Sequence, residues 1–322
     1  MMFSSLLRCT AAVLIFGGGI AISKADVITQ DENHDVPGES WSDTPNSWSN
    51  NEAPSPLHDY LSNTPGWTLR SPTSTSTFGG KSLTVSGMQF NLSLSTAGGT
   101  ITVNNFHITG GAAMVSGQNV KQTLAGTLQF TGTSFVRLNA NDTPARDIDL
   151  ASTLSGNGTV KILQKGTLTL LGTGNTFSGH WIVGGSDTVL GVAYANTASR
   201  ISVLDAFEPQ SLGLGSSVTV DAYGTFRVRY DWETTGSLTL NLNSLTILDN
   251  DLTLGALTIG GESLGVGTYN YDFLSTTYSG YFNTTGEGGS ITVVPEPTSF
   301  GALVLGSGVL LITSRKRRRQ NR

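Results

Sequence analysis

The 322-residue chain is poor in most of the side chains that build compact chemical sites. It holds one cysteine, Cys9, which excludes an internal disulfide framework and any cysteine-based zinc centre. Its four histidines, His34, His58, His107 and His180, are scattered without metal-ligand spacing. Charged residues make up 13% of the chain, against about 25% in an ordinary soluble protein. That density is too low for an acidic disordered tail, and a formal net charge of -5 argues against a whole-chain nucleic-acid binder. No His-Glu-x-x-His pair or phosphate-binding glycine loop is present. Windows rich in helix formers are also missing, apart from one short candidate helix within Val192 to Phe207.

Gly, Ser, Thr and Asn are abundant, with 138 residues or 43% of the chain. Gly and the small polar residues make turns and Thr favours strands, so the expected product is all-β and rich in turns. The pattern Gly-[Ser/Thr]-apolar-x-apolar begins at Gly99, Gly126, Gly158, Gly166, Gly224, Gly236 and Gly289. Its apolar residues alternate with polar ones, which turns one side of each strand inward and the other to solvent. Short strands with frequent turn signals suit either an antiparallel sandwich or a parallel solenoid. Few connections carry a tight-hairpin Asn-Gly or Asp-Gly, and single apolar rows are what stacked rungs require, so the solenoid is favoured.

One stretch carries more detail: Leu154-Ser-Gly-Asn-Gly-Thr-Val-Lys-Ile162, Lys165-Gly-Thr-Leu-Thr-Leu170, then Gly172-Thr-Gly-Asn-Thr-Phe-Ser-Gly179 and Trp181-Ile-Val183. It resembles the autotransporter-associated β-strand repeat, departing from it at His180-Trp181. A looser copy runs through Ser211 to Gly213, Ser217 to Val220 and Gly224 to Val228, interrupted by an insertion around Ala193 to Pro209. The resemblance implies a right-handed parallel β-helix (solenoid) with capping segments. Residues 26–80 hold Pro37, Pro45, Pro54, Pro56, Pro65 and Pro72 and read as a proline-broken lead-in or N-terminal cap. Residues 81–256 read as the solenoid repeats. Residues 257–293, with Tyr269, Tyr271, Phe273, Tyr278, Tyr281 and Phe282, read as an aromatic C-terminal cap over the open strand edges.

Both ends look like processing signals. Arg8 precedes an apolar run from Ala11 to Ile22, and Ser23-Lys24-Ala25 offers small residues for cleavage after Ala25, the layout of a signal peptide over residues 1–25. At the other end, residues 294–322 contain Pro295-Glu296-Pro297, an apolar stretch from Thr298 to Ser314 of marginal spanning length, and the basic run Arg315, Lys316, Arg317, Arg318 and Arg319. A basic cluster abutting an apolar helix reads as a membrane stop rather than a nucleic-acid patch. The three parts in this order resemble the PEP-CTERM sorting signal. That resemblance implies recognition by an exosortase in a two-membrane bacterium that makes exopolysaccharide, with the tail removed and the body delivered to the surface or matrix.

No catalytic residue, metal site or cofactor is assigned. Asp147 and Asp149, and Asp249-Asn250-Asp251, are the available acidic clusters, read as solvated strand positions and an Asx-type turn with calcium as the sharper alternative. His180 and Trp181 are the candidate carbohydrate contact, weighed against simple packing of the Trp on a neighbouring rung. The expected function is an exported, non-enzymatic structural or adhesive protein. Its expected partners are signal peptidase, exosortase, the membrane in transit and exopolysaccharide, and not nucleic acid. The alternatives are a lyase or glycosidase on the same fold, which needs carboxylates converging with Arg or Lys in a groove, or a lectin-like sandwich. Eight of the 18 basic residues lie in the two terminal segments, and with Glu296 of the Pro-Glu-Pro motif retained all 23 acidic residues survive, so the processed body carries -13.

Overall fold

The computed structural model describes residues 26–294, apart from 37, 43–46, 96–97, 118–119, 139–145 and 284–287. The signal segment, Ala25, Pro295, Glu296, Pro297 and the basic run through Arg319 lie outside the described residues. Among the described residues no helix is long and apolar enough to cross a membrane.

The chain is a β-solenoid of about 8 turns, with 51% of the described residues in strands. Two long parallel sheets form its main walls. One runs in strand order from Val27–Thr29 through Asp59–Ser62, Ser82–Ser86, Thr100–Thr109, Gln122–Phe130, Ile148–Gly156, Gly166–Leu170, Ser202–Ala206 and Gly224–Val228 to Leu245–Leu248. The other runs from Thr68–Arg70 to Ala256–Ile259 and ends on Glu262–Leu264. A four-stranded third sheet of Trp232–Glu233, Leu252–Leu254, Ser290–Val293 and Gly267–Asn270 closes the C-terminal part. Successive strands pair parallel, which excludes the antiparallel sandwich.

The repeat arises because each strand buries alternate side chains under its copy in the next rung. In the second sheet Leu69, Phe90, Met114, Val136, Ile162, Val183, Val220, Leu240 and Ile259 stand in one unbroken inward register. All nine are buried. Each contributes roughly 1.5–3 kcal/mol of hydrophobic stabilisation, so a rung with few apolar residues still extends a continuous core. That is why 38% hydrophobic content suffices.

The ladders begin well before residue 81. Val27–Thr29 already pairs with Asp59–Ser62, and Trp41 and Trp48 close the N-terminal end against Phe78, Phe90 and Tyr60, with Trp48 and Tyr60 rings 4.8 Å apart. The aromatic plug therefore sits at this end. At the C-terminal end Phe282 is buried, Tyr269, Tyr271, Tyr278 and Tyr281 are only partly so, and Phe273 is exposed. Closure there is by backbone. Glu262–Leu264 and Gly267–Asn270 pair antiparallel onto the last strands of two sheets. Tyr281 and Asn283 bond Thr246 on the third edge. The only helix among the described residues is Tyr271–Thr277, capped by the Asn270 side chain accepting from the Phe273 amide at 2.9 Å.

The helix expected within Val192 to Phe207 is instead a β-hairpin, Ser186–Val189 with Val192–Ala195, followed by the rung strand Ser202–Ala206. The sequence is dominated there by β-branched and small residues, and packing onto a sheet decides its state. Leu190 and Gly191 both take positive φ (50° and 81°), the two-residue turn that matches hairpin twist. Gly184 sits at φ +86° with an added Cβ 2.5 Å from the Gly224 amide, so the chain can leave the rung only where no side chain stands. The hairpin folds back over the outer face of the second sheet. There Val189, with Tyr194 packed beside it, covers Ala113, Val115, Phe135 and Leu163 in a second small core.

Candidate functional site

Trp181 belongs to the interior. It continues the inward register of Val160 and Val218, is fully buried, and lies against Phe177 (4.9 Å between rings) and Phe130 (6.1 Å). It cannot stack on a sugar, which corrects the carbohydrate reading of this residue. His180 points outward and donates or accepts at Thr219 Oγ1, 2.8 Å away. Burial pushes its imidazole below the ordinary value of 6.5, against the pull of Asp221. The side chain is committed to the rung beside it.

The acidic clusters are likewise occupied. Asp147 accepts from the Thr167 amide at 2.8 Å, and Asp149 pairs with Lys121 at 2.9 Å on the outer face of the first sheet. Asp249 accepts from Arg227 Nε at 2.6 Å, while Asp251 accepts from the Ser290 amide and hydroxyl at 2.7 and 2.9 Å. The two carboxylates therefore tie the turn to Arg227 and Ser290 on neighbouring strands, and among the described residues no group of three His, Cys, Asp or Glu could hold a metal ion. Asp205 and Arg229 form a two-pronged pair at 2.8 Å beside Arg227 and Asp249. This is the nearest approach to convergent acid and base groups. Each carboxylate is neutralised by its own guanidinium.

The best-fitting repeat motif is structural. Asn175 is buried, accepts from the Leu154 amide at 2.7 Å and donates to the Gly172 and Ser211 carbonyls at 3.1 and 2.7 Å. It joins three successive rungs at a corner where the strand ladder is interrupted. Gly172 is required because a Cβ there would stand 1.9 Å from the Ser152 carbonyl oxygen.

A different region has the character of a binding face. Along strand Thr100–Thr109 the inward parity changes, with Ile101 and Val103 inward, then Phe106 and Ile108, and the register shifts between Val103 and Phe106. The extra residue makes a bulge that bends the wall. In the bend lies a groove of about 370 Å³ lined by Ser82, Thr84, Asn105, His107, Thr127, Gln129 and Ser155, with Phe106 at its floor. Thr84, His107, Gln129 and Ser155 share one outward register across four rungs, at the strand spacing of about 4.8 Å.

Neighbouring bonds hold the groove's framework. Asn105 donates to the Lys81 carbonyl at 2.7 Å, Ser82 donates to Asp59 at 2.6 Å, and His107 Nε2 lies 2.6 Å from Thr131 Oγ1. Burial lowers the proton affinity of His107, which favours the neutral ring at pH 7. Among the described residues no carboxylate, Lys or Arg lines the groove, so its polar lining is hydroxyl, amide and imidazole groups. Sequence reasoning missed it. The signal was the doubled Asn104-Asn105, which breaks strict alternation between Val103 and Phe106. No protein-family model, no curated protein and no solved structure matches this chain.

Proposed function

We propose that this chain is an exported, non-enzymatic structural or adhesive protein of the cell surface or exopolysaccharide matrix, and that the bent polar wall grips a neutral polysaccharide. The groove across Thr84, His107, Gln129 and Ser155 carries the reading. Its described lining is uncharged and offers a hydroxyl, amide or imidazole on each rung along the solenoid axis, as a linear chain of hydroxyl-bearing sugars would need. A processed body of charge -13 would repel acidic polymers, which favours a neutral one. Many weak contacts along an extended wall give useful attachment through multivalency.

Export rests on the resemblance at the two ends: cleavage after Ala25, exosortase recognition of Pro295, Glu296 and Pro297 on an inner-membrane-anchored precursor, and a right-handed solenoid delivered to the surface. Fractionation of the host with and without exosortase activity tests this part. The expected result is loss of residues beyond the Pro-Glu-Pro motif only when the enzyme is active, and a surface-delivered protein with its tail intact would sink it. Polysaccharide contact is tested by affinity electrophoresis through gels holding a neutral glucan or an acidic alginate. Retardation is expected in the neutral gel and is lost in the triple variant Thr84→Ala, Gln129→Ala, Ser155→Ala with its circular dichroism unchanged. Equal retardation of variant and parent removes the groove from the function.

A further inference from the structure

The two long sheets are closed at both ends. At the N-terminal side Ser49 donates to Thr29 and Asp31 to Ser47, while His34 and Trp41 donate to Thr68 and Arg70. At the C-terminal side the antiparallel strand Glu262–Leu264 and the residues around Tyr281 cover the remaining edges, and Glu262 places a charge on the outermost strand. End-to-end stacking of solenoids is blocked in the way natural sheets guard themselves. The hairpin Ser186–Val189/Val192–Ala195 stands apart from this protection.

Its hydrogen-bond phase can be read directly. The Asn196 amide donates to the Gly185 carbonyl at 2.7 Å, and opposite residues alternate between bonded and non-bonded pairs. Asp187 with Tyr194 and Val189 with Val192 are therefore the bonded pairs, and the backbone groups of Ser186, Thr188, Ala193 and Ala195 point away from the hairpin. On the first strand the Thr188 amide is taken by Asp187 Oδ1 at 2.7 Å. On the second strand, Val-Ala-Tyr-Ala, no charge, proline or bulge intervenes. Val192 is 52% exposed and both alanines are exposed.

We propose that this strand is a self-association edge, and that two copies of the chain join hairpin to hairpin into a four-stranded antiparallel sheet. The occupant is a second copy because the edge is self-complementary. A two-fold axis at Tyr194 sets Ala193 opposite the partner's Ala195 and Ala195 opposite the partner's Ala193, so both outward residues of each copy meet outward residues of the other. Four N–H···O bonds form, and the small side chains permit close approach. The hairpin is anchored for this role by Lys161 pairing with Asp187, by the Arg137 guanidinium 4.0 Å over the Tyr194 ring, and by Asn196 at its base. The inference does not depend on polysaccharide binding.

Sedimentation of the full chain in mild detergent over a concentration series tests it. A dimer is expected, with Ala193→Pro and Ala193→Lys each weakening association by about tenfold or more. Proline removes only an outward N–H, and lysine adds a charge at the edge, so neither touches the hairpin's internal bonds. The hairpin's state is checked by amide exchange at Val189 and Tyr194, which should remain protected in both variants. A parent chain that sediments as a monomer at every concentration overturns the proposal. So does a dimer that both variants form as well as the parent.

Discussion

Asn175 and Asn196 perform the same task in two regions of opposite character. Each is buried, each is followed by Thr, and each spends its carbonyl and amide on neighbouring rungs. Asn175 joins Leu154, Gly172 and Ser211 inside the regular repeat. Asn196 accepts from the Gln164 amide at 2.9 Å and donates to Ser202 Oγ and the Tyr223 carbonyl, at 2.8 and 3.2 Å, at the foot of the inserted hairpin. Around Asn175 successive rungs are about 20 residues apart, as from Ile148 to Leu168. Across Asn196 the spacing stretches to that from Gly166 to Ser202. A solenoid therefore tolerates an excursion wherever a corner amide restores the bonds that the departing backbone gives up. The core is carried past the insertion by Leu168 on Leu204 and Val183 on Val220.

The largest expected effect separates the two asparagines. Asn175→Ala leaves buried groups of three rungs unpaired and is expected to cost about 3 kcal/mol in urea unfolding. Asn196→Ala is expected to cost about 1–2 kcal/mol, because the hairpin foot can open to water without parting the rungs. Equal losses would show that the insertion is as integral as the repeat. A smaller effect concerns acid. The hydrogen bond from Lys161 holds the Asp187 carboxyl below its ordinary value of 3.8, aided by the Thr188 amide and opposed by burial. A depressed carboxylate stabilises the fold above that ordinary value and loses the contribution as pH falls through the lower, folded one. Amide exchange across Ser186 to Ala195 should accelerate selectively below about pH 3.8, where the carboxylate begins to protonate in the open form. Asp187→Asn should remove that step, at a cost of about 0.5 kcal/mol at neutral pH for so solvent-accessible a pair. Uniform acceleration across all rungs would mean that the hairpin does not open by itself.

Much of the fold was legible because its rule is local. Alternation in Gly158-Thr-Val-Lys-Ile162 and Gly166-Thr-Leu-Thr-Leu170 names inward residues that the structure buries: Val160, Ile162, Leu168 and Leu170. The hairpin was less legible. Its strands flank a Leu190-Gly191 turn rather than Asn-Gly, and its stability comes from Phe135, Leu163 and Lys161 on rungs distant in sequence. Trp181 shows the opposite difficulty. Next to His180 it allowed a carbohydrate contact as well as packing on a neighbouring rung, and the structure bears out the packing, in line with its parity two residues before Val183.

By itself the sequence determined the all-β class and the inward-facing residues of each strand, because side-chain parity and glycine punctuation act within a few residues, whereas the parallel stacking of the rungs is settled by the pairing in the structure. The tertiary structure alone decided which polar residues face one another. The register that aligns Thr84, His107, Gln129 and Ser155 depends on turn lengths and on one extra residue in a bulge, and no local pattern adds those up. It also decided which strand edges are closed and that, among the described residues, Val192–Ala195 has no further strand beside it, since edge closure is made by segments far apart in the chain.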